Sequence, residues 1–146
     1  MFIKTAYMRL HIAPNRLICD IQREFNKVFP YLKLEFFNNR SFSRSDFSSS
    51  QLIPNNKKIG DSQLVITDGD IDITEEMKVI ELERIFKQDF SLAVQVFRKS
   101  GNLWLETTMT DDWSLHQQNY HGREISTGKS TDPTPEDYDL NRDASR

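Results

Sequence analysis

The sequence predicts an α+β domain, a largely antiparallel sheet carrying two helices on one face. Three observations lead there. Two amphipathic helical stripes, near 16–29 and 75–89, are each flanked by runs with the two-residue alternation of strands. The stretch Phe90–Thr108, FSLAVQVFRKSGNLWLETT, alternates across a turn as a β-hairpin does. The apolar positions of the first strand–helix–strand run also recur about 61 residues later.

The first strand is expected over Ala6–Ile12, with Met8, Leu10 and Ile12 inward and Tyr7, Arg9 and His11 outward. Pro14 and Asn15 mark a turn and the start of a helix reaching about Phe29. Its stripe is Leu17, Ile18, Ile21, Phe25, Val28 and Phe29, and Pro30 stops it. A second strand follows, with Leu32, Leu34 and Phe36 inward and Lys33, Glu35 and Phe37 outward. Residues 38–60 are rich in Ser, Asn and basic side chains and read as a long loop. Phe42, Phe47, Leu52 and Ile53 are apolar anchors within it, so the loop is expected to lie back over part of the fold.

In LVITDGDIDIT, Asp68-Gly69 reads as a hairpin turn that pairs Ile66 with Ile71 and Leu64 with Ile73. Thr74 is the expected N-cap of the second helix, with Glu75 and Glu76 favouring its N-terminus. That helix is expected to run to about Asp89, with Val79, Leu82, Ile85 and Phe86 inward and Phe90 closing it. In the final hairpin, a Ser100-Gly101 turn pairs Phe97 with Trp104, Val96 with Leu105 and Gln95 with Glu106. One face is then Leu92, Val94, Val96, Leu103 and Leu105; the other is Ala93, Gln95, Phe97, Trp104 and Glu106.

Leu10 and Ile12 correspond to Ile71 and Ile73; Ile18, Ile21, Phe25 and Phe29 to Val79, Leu82, Phe86 and Phe90; Leu32, Leu34 and Phe36 to Leu92, Val94 and Val96. This is the pattern of a duplicated β-α-β unit, and a ferredoxin-like split β-α-β arrangement is the first expectation. The alternative is a ubiquitin-like β-grasp, since residues 64–108 alone read hairpin, helix, hairpin. After Thr108 a short helix is expected, capped by Asp111 or Asp112, docked by Trp113 and Leu115 and ended by Gly122. The domain is therefore placed at 1–121, and the polar segment 122–146 reads as a tail.

Composition bounds the function classes. The 146 residues suit one domain, and ten Phe point to a well-filled core. Cys19 is alone, which excludes an intramolecular disulfide and an all-cysteine metal site. The N-terminal MFIKTAYMRLHI lacks the apolar core of a signal peptide and nothing approaches a membrane span, so a soluble cytoplasmic protein is expected. Net charge is −3, yet residues 1–60 hold 10 basic and 4 acidic side chains while residues 61–146 hold 9 and 18. The two halves thus carry opposite charge and can neutralise each other on folding.

Motifs with chemistry are incomplete. Asp68, Asp70 and Asp72 resemble the opening of a calcium loop, but Gly falls between the first two and the twelfth position is Val79. Gly128-Lys129-Ser130 resembles the end of a phosphate loop, but the required first Gly position is Arg123. His116 and His121 lie five apart, not the three or four that put two ligands on one helix face. No cofactor and no metal are expected, and the acidic chain does not match an open-sheet nucleic-acid binder.

The outward sheet face is the candidate site. Tyr7, Arg9, His11, Lys33, Phe37, Gln95, Phe97 and Trp104 interleave aromatics with cations and amides. The sequence reads as a non-enzymatic interaction domain that binds a protein partner or forms a homodimer. Phe97 and Trp104 would anchor it beside Gln95, Arg9, Lys33, Arg98 and Phe37. The alternative is a metal- or small-molecule-binding protein or enzyme using His11, His116 and Asp112.

Overall fold

The computed structural model describes residues 5–38, 52–61 and 67–128. Strand β1 (Tyr7–Ile12) pairs antiparallel with β3 (Gly69–Thr74), placing Leu10 opposite Ile71 and Met8 opposite Ile73. Strand β2 (Leu32–Phe37) pairs antiparallel with β4 (Ala93–Ser100), which pairs antiparallel with β5 (Leu103–Glu106). Helix α1 (Ile18–Val28) joins β1 to β2, α2 (Val79–Phe90) joins β3 to β4, and α3 (Leu115–Thr127) follows β5. Among the described residues the fold is thus α+β, with three α-helices and two antiparallel sheets. Among the described residues no helix is long and apolar enough to cross a membrane.

The alternation read from the sequence is what the sheets bury. Leu10, Ile12, Leu32, Leu34, Val94 and Val96 are all buried, and Phe25, Phe36 and Phe86 meet them from helix and sheet. Phe36 and Phe86 touch edge to face, ring centroids 5.9 Å apart, the geometry aromatic quadrupoles favour.

Strand pairing departs from the expected order. A ferredoxin-like sheet sets its first strand between the fourth and the third and pairs the second with the third; here β1 and β3 lie in a sheet apart from β2. Among the described residues β1 pairs only with β3, and β2 pairs with β4. The third helix is also longer than expected. It begins from the cap Ser114, whose Oγ accepts from Gln117 N, and ends at Gly128 with φ +72°. Gly122 does not end it. It lies buried in the middle, where an added Cβ would come within 3.0 Å of Arg98 Cγ and Tyr31 Cβ. Glycine there lets α3 sit directly on the end of β4. The expected tail therefore starts no earlier than Gly128, and residues 129–146 lie outside the described residues.

Both α1 and α2 start later than their sequence signals, and for one reason. The first amides of a helix lack intrahelical acceptors. In α1, Ile18 N donates to Lys57 O (2.9 Å) and Cys19 N to Asn55 O (2.9 Å). In α2, Val79 N donates to Trp113 O (3.0 Å) and Ile80 N to Asp111 O (2.8 Å). The returning bonds match: Ile59 N to Arg16 O and Gly60 N to Pro14 O, against Leu115 N to Met77 O and His116 N to Glu75 O. Each helix is thus capped by the backbone of a distant loop. Thr74 stays in β3, and Glu75 is occupied by Ala6, whose N donates to Glu75 Oε1 while Glu75 N donates to Ala6 O.

Two turns differ in detail. The β4–β5 turn is Gly101-Asn102, with Ser100 opposite Leu103 and Lys99 opposite Trp104. Gly101 has φ +64° and Asn102 does not share it, the signature of a type II′ turn. The turn moves on by one residue, so each pairing moves by two, Phe97 lying opposite Glu106 and not Trp104, and the side-chain faces stay as read. Asp68-Gly69 forms no type I′ turn, because neither residue has positive φ and Gly69 belongs to β3 opposite Ile12. Its glycine admits the Phe90 ring, 3.3 Å from where a Cβ would lie. The pairings expected for Leu64 and Ile66 lie outside the described residues.

Candidate protein-interaction surface

The outer face of the β2–β4–β5 sheet assembles part of the expected cluster. Register puts Lys33, Phe97 and Glu106 in one row across the three strands, with Lys99 and Trp104 in the next. Trp104 is half-buried, with Lys33 Nζ 4.9 Å and Lys99 Nζ 6.0 Å from its ring centroid. Each ammonium over the indole adds about 0.5–1 kcal/mol at an exposed site and orients the ring. Lys33 is itself positioned by Glu35 at 2.9 Å, and Glu35 accepts from Gln22 Nε2 on α1 at 3.1 Å. A helix residue therefore fixes a chain that runs through Glu35 and Lys33 to the Trp104 ring.

The edge of β5 is part of the same surface. Lys99 N donates to Tyr31 O, toward β2, so its partner Trp104 sits in a non-hydrogen-bonded pair of the β4–β5 ladder. The Trp104 N–H and C=O consequently point away from β4. Among the described residues no strand lies beyond β5. Leu103 is 44% exposed and Met109, just past the strand, 84%. The signal for this edge was available in the sequence: β5 is the last strand before a polar helix and carries Leu103 and Trp104.

Other expected residues are not part of this patch. Phe37 and Gln95 point to the same face but are buried, at 3% and 0% exposure, so neither presents a surface to a partner. Arg98 is not a surface contact either. It lies on the helix side of β4, 2% exposed, and its Nη1 donates to Gln118 Oε1 at 2.9 Å. Gln118 Nε2 in turn donates to Thr110 O (2.7 Å) and Thr110 Oγ1 (2.8 Å), a buried polar chain that fastens α3. Arg9 belongs to the β1–β3 sheet, where its Nε and the Tyr7 hydroxyl both donate to Asp72 Oδ1 at 2.8 Å.

The Asp72 cluster has a pH consequence. The bonds from Arg9 and then Tyr7 hold the Asp72 carboxyl below the usual carboxylate range. A lowered folded-state pKa adds stability above the unfolded Asp range, about pH 3.9, and that stability is lost as pH falls through the folded value. The stability difference between the chain and Asp72→Asn, read from urea midpoints, is expected to be largest at neutral pH and to shrink on acidification. Solvent screening keeps it small at this exposed site.

His11, His116 and Asp112 are not brought together. His11 Nδ1 lies 2.9 Å from Asp70 Oδ1, at the end of β1 away from Ala6. His116 N bonds Glu75 O, and Glu75 bonds Ala6. Five strand residues separate those ends, about 16 Å. The His116 ring stacks on Tyr120, 6.1 Å between centroids. Among the described residues no three His, Cys, Asp or Glu side chains are placed to hold a metal ion. No family model, curated protein or solved structure matches the chain.

Proposed function

We propose that this chain is a non-enzymatic interaction domain that binds a protein by strand addition at β5, with Trp104 as the central side chain and a second copy of the chain as the first candidate partner. The observation that carries this reading is the outward-facing Trp104 backbone beside its lysine-flanked indole, on a strand edge with Leu103 and Met109 exposed. Unpaired edges recruit further strands, and side chains beside the edge set the choice of partner. An isologous pairing of two β5 edges would place Trp104 near a two-fold axis.

The framework supporting this surface reads as two copies of one β-α-β unit. The capping bonds of α1 and α2 involve residues 61 apart in the helix loops, Pro14 with Glu75 and Ile18 with Val79. They involve residues 56 apart in the partner loops, Asn55 with Asp111 and Lys57 with Trp113.

Sedimentation velocity on the intact chain and on Trp104→Ala tests the functional reading. The chain is expected to gain mass with concentration, and Trp104→Ala to weaken association at least tenfold while remaining folded by circular dichroism. A monomer at every concentration, or an unaffected Trp104→Ala, would overturn it.

A further inference from the structure

A second surface, separate from the Trp104 face, lies where α2 runs beside β4. A cavity of about 530 Å³ opens there, lined by Ile80, Glu83, Arg84 and Lys87 of α2 and by Leu92 and Val94. Its size falls within the range of ligand pockets, roughly 300–1,000 Å³. Its floor is apolar. One residue of the strand beside it, Val94, has backbone groups that no other described residue meets.

The orientation of Val96 establishes that. Val96 N donates to Glu83 Oε2 (3.1 Å) and Val96 O accepts from Thr107 Oγ1 (2.8 Å), both on the side away from β2. Two residues earlier along the strand, the Val94 N–H and C=O point the same way. Among the described residues nothing meets them, although Val94 is 3% exposed. Buried backbone groups are nearly always paired, so this pair, unmet among the described residues, is where an added strand would bond.

The other half of the chain shows how such an edge is closed. Leu32 O accepts from Asn26 Nδ2 (2.9 Å), Leu34 O from Gln22 Nε2 (2.6 Å) and Phe36 O from Ile53 N (2.8 Å). Leu52, in extended chain, bridges to Phe37. The helix position 61 residues after Gln22 is Glu83. A carboxylate cannot donate to a strand carbonyl, and Glu83 turns to Val96 N instead. Among the described residues, the carboxylate in place of an amide leaves Val94 without the side-chain partner that Leu34 has. Arg84 and Lys87 stand exposed on the rim.

We propose that this groove binds an extended peptide as a short added strand, with β-branched apolar residues at its centre and acidic residues flanking them. The peptide backbone pairs with Val94, its side chains fill the space over Leu92 and Ile80, and its acids meet Arg84 and Lys87.

The probe is a blocked, fluorescein-labelled peptide of four Val/Ile residues flanked by aspartates. Its counterparts are the same core flanked by lysines, and the aspartate peptide with N-methylated backbone amides. Binding to the full chain is read by anisotropy and by hydrogen exchange at the Val94 amide. The aspartate peptide is expected to bind and to slow Val94 exchange; N-methylation is expected to abolish both effects. The Arg84→Glu/Lys87→Glu variant, changed only at exposed positions, is expected to lose at least tenfold for the aspartate peptide and to gain for the lysine one. Equal binding of the two flanks, no binding, or protection at Trp104 in place of Val94 would overturn the proposal. So would Val94 protection that rises with protein concentration without peptide, which assigns the groove to a second copy.

Discussion

Replacing Phe86 by alanine is expected to lower unfolding stability by about 3–5 kcal/mol. Phe86 is fully buried, and it is where the two halves meet: it projects from α2 onto Phe36 of β2. Its carbonyl also accepts from Leu92 N at the exit of the helix. Truncation removes the transfer free energy of the ring and leaves a cavity among neighbours that belong to separate strands, so collapse around it is limited. Domains of this size have about 5–15 kcal/mol in total, so the variant should melt far earlier or fail to fold at physiological temperature. Urea titration checks it through a lowered midpoint at unchanged slope. Gln88→Ala, an exposed change on the same helix, is the control and should stay within about 0.5 kcal/mol. A loss below about 1 kcal/mol for Phe86→Ala would mean that helix and sheet are not packed as described.

The second large effect is expected at Gln118. Its side chain is fully buried and joins Arg98 to Thr110, so one amide serves a charged donor on one side and two acceptors on the other. Gln118→Ala removes an acceptor from a buried guanidinium and a donor from a buried carbonyl, for a loss of roughly 2–4 kcal/mol. The damage should concentrate in α3. Amides of that helix should exchange faster while those of β4 stay protected. Gln118→Glu keeps an acceptor for Arg98 but loses the donor to Thr110, so a smaller loss is expected. The double variant Arg98→Met/Gln118→Leu should recover only part of the Gln118→Ala loss, because it removes the buried guanidinium but still takes the Gln118 donor from the Thr110 carbonyl and hydroxyl. Equal losses for Gln118→Ala and Gln118→Glu would show that Arg98 does not depend on this contact.

Both effects rest on features that the sequence disclosed to different degrees. The strand alternation and the helix stripes were legible, because Leu10, Leu34, Phe25 and Phe86 stand at fixed periods and burial follows period. The helix starts were not. Thr74 with two following acids is a strong local cap signal, yet the amides of Val79 and Ile80 find carbonyls of Trp113 and Asp111, more than 30 residues away. A distant backbone acceptor leaves no mark near the helix. Gly122 was read as a stop because glycine commonly ends helices; its role, close contact with Arg98 and Tyr31, exists only once α3 is docked. Gly69 was read as a turn for the same reason and serves the Phe90 ring instead.

The candidate site was legible in its faces but not in its exposure. Alternation placed Phe97 and Trp104 on the outer side of the sheet, and the register keeps them there. Alternation says nothing about which part of a face is covered, so Phe37 and Gln95 were grouped with residues that remain accessible. Arg98 was misplaced for a different reason. A charge was taken as a surface contact although its position shares the parity of Val94 and Val96, and the parity was the better guide. The Val94 backbone, unmet among the described residues, had a sequence trace in Glu83, which stands 61 residues after Gln22. It gains meaning only when the strand edges are known.

Hydrogen exchange at the Trp104 backbone amide, followed across protein concentrations, is the most direct test of whether β5 is the binding edge. That amide points away from β4 and should exchange quickly in the dilute chain. Its protection should rise in step with the sedimenting mass and vanish in Trp104→Ala. A growing mass with Trp104 exchange unchanged would put the interface elsewhere and contradict the assignment.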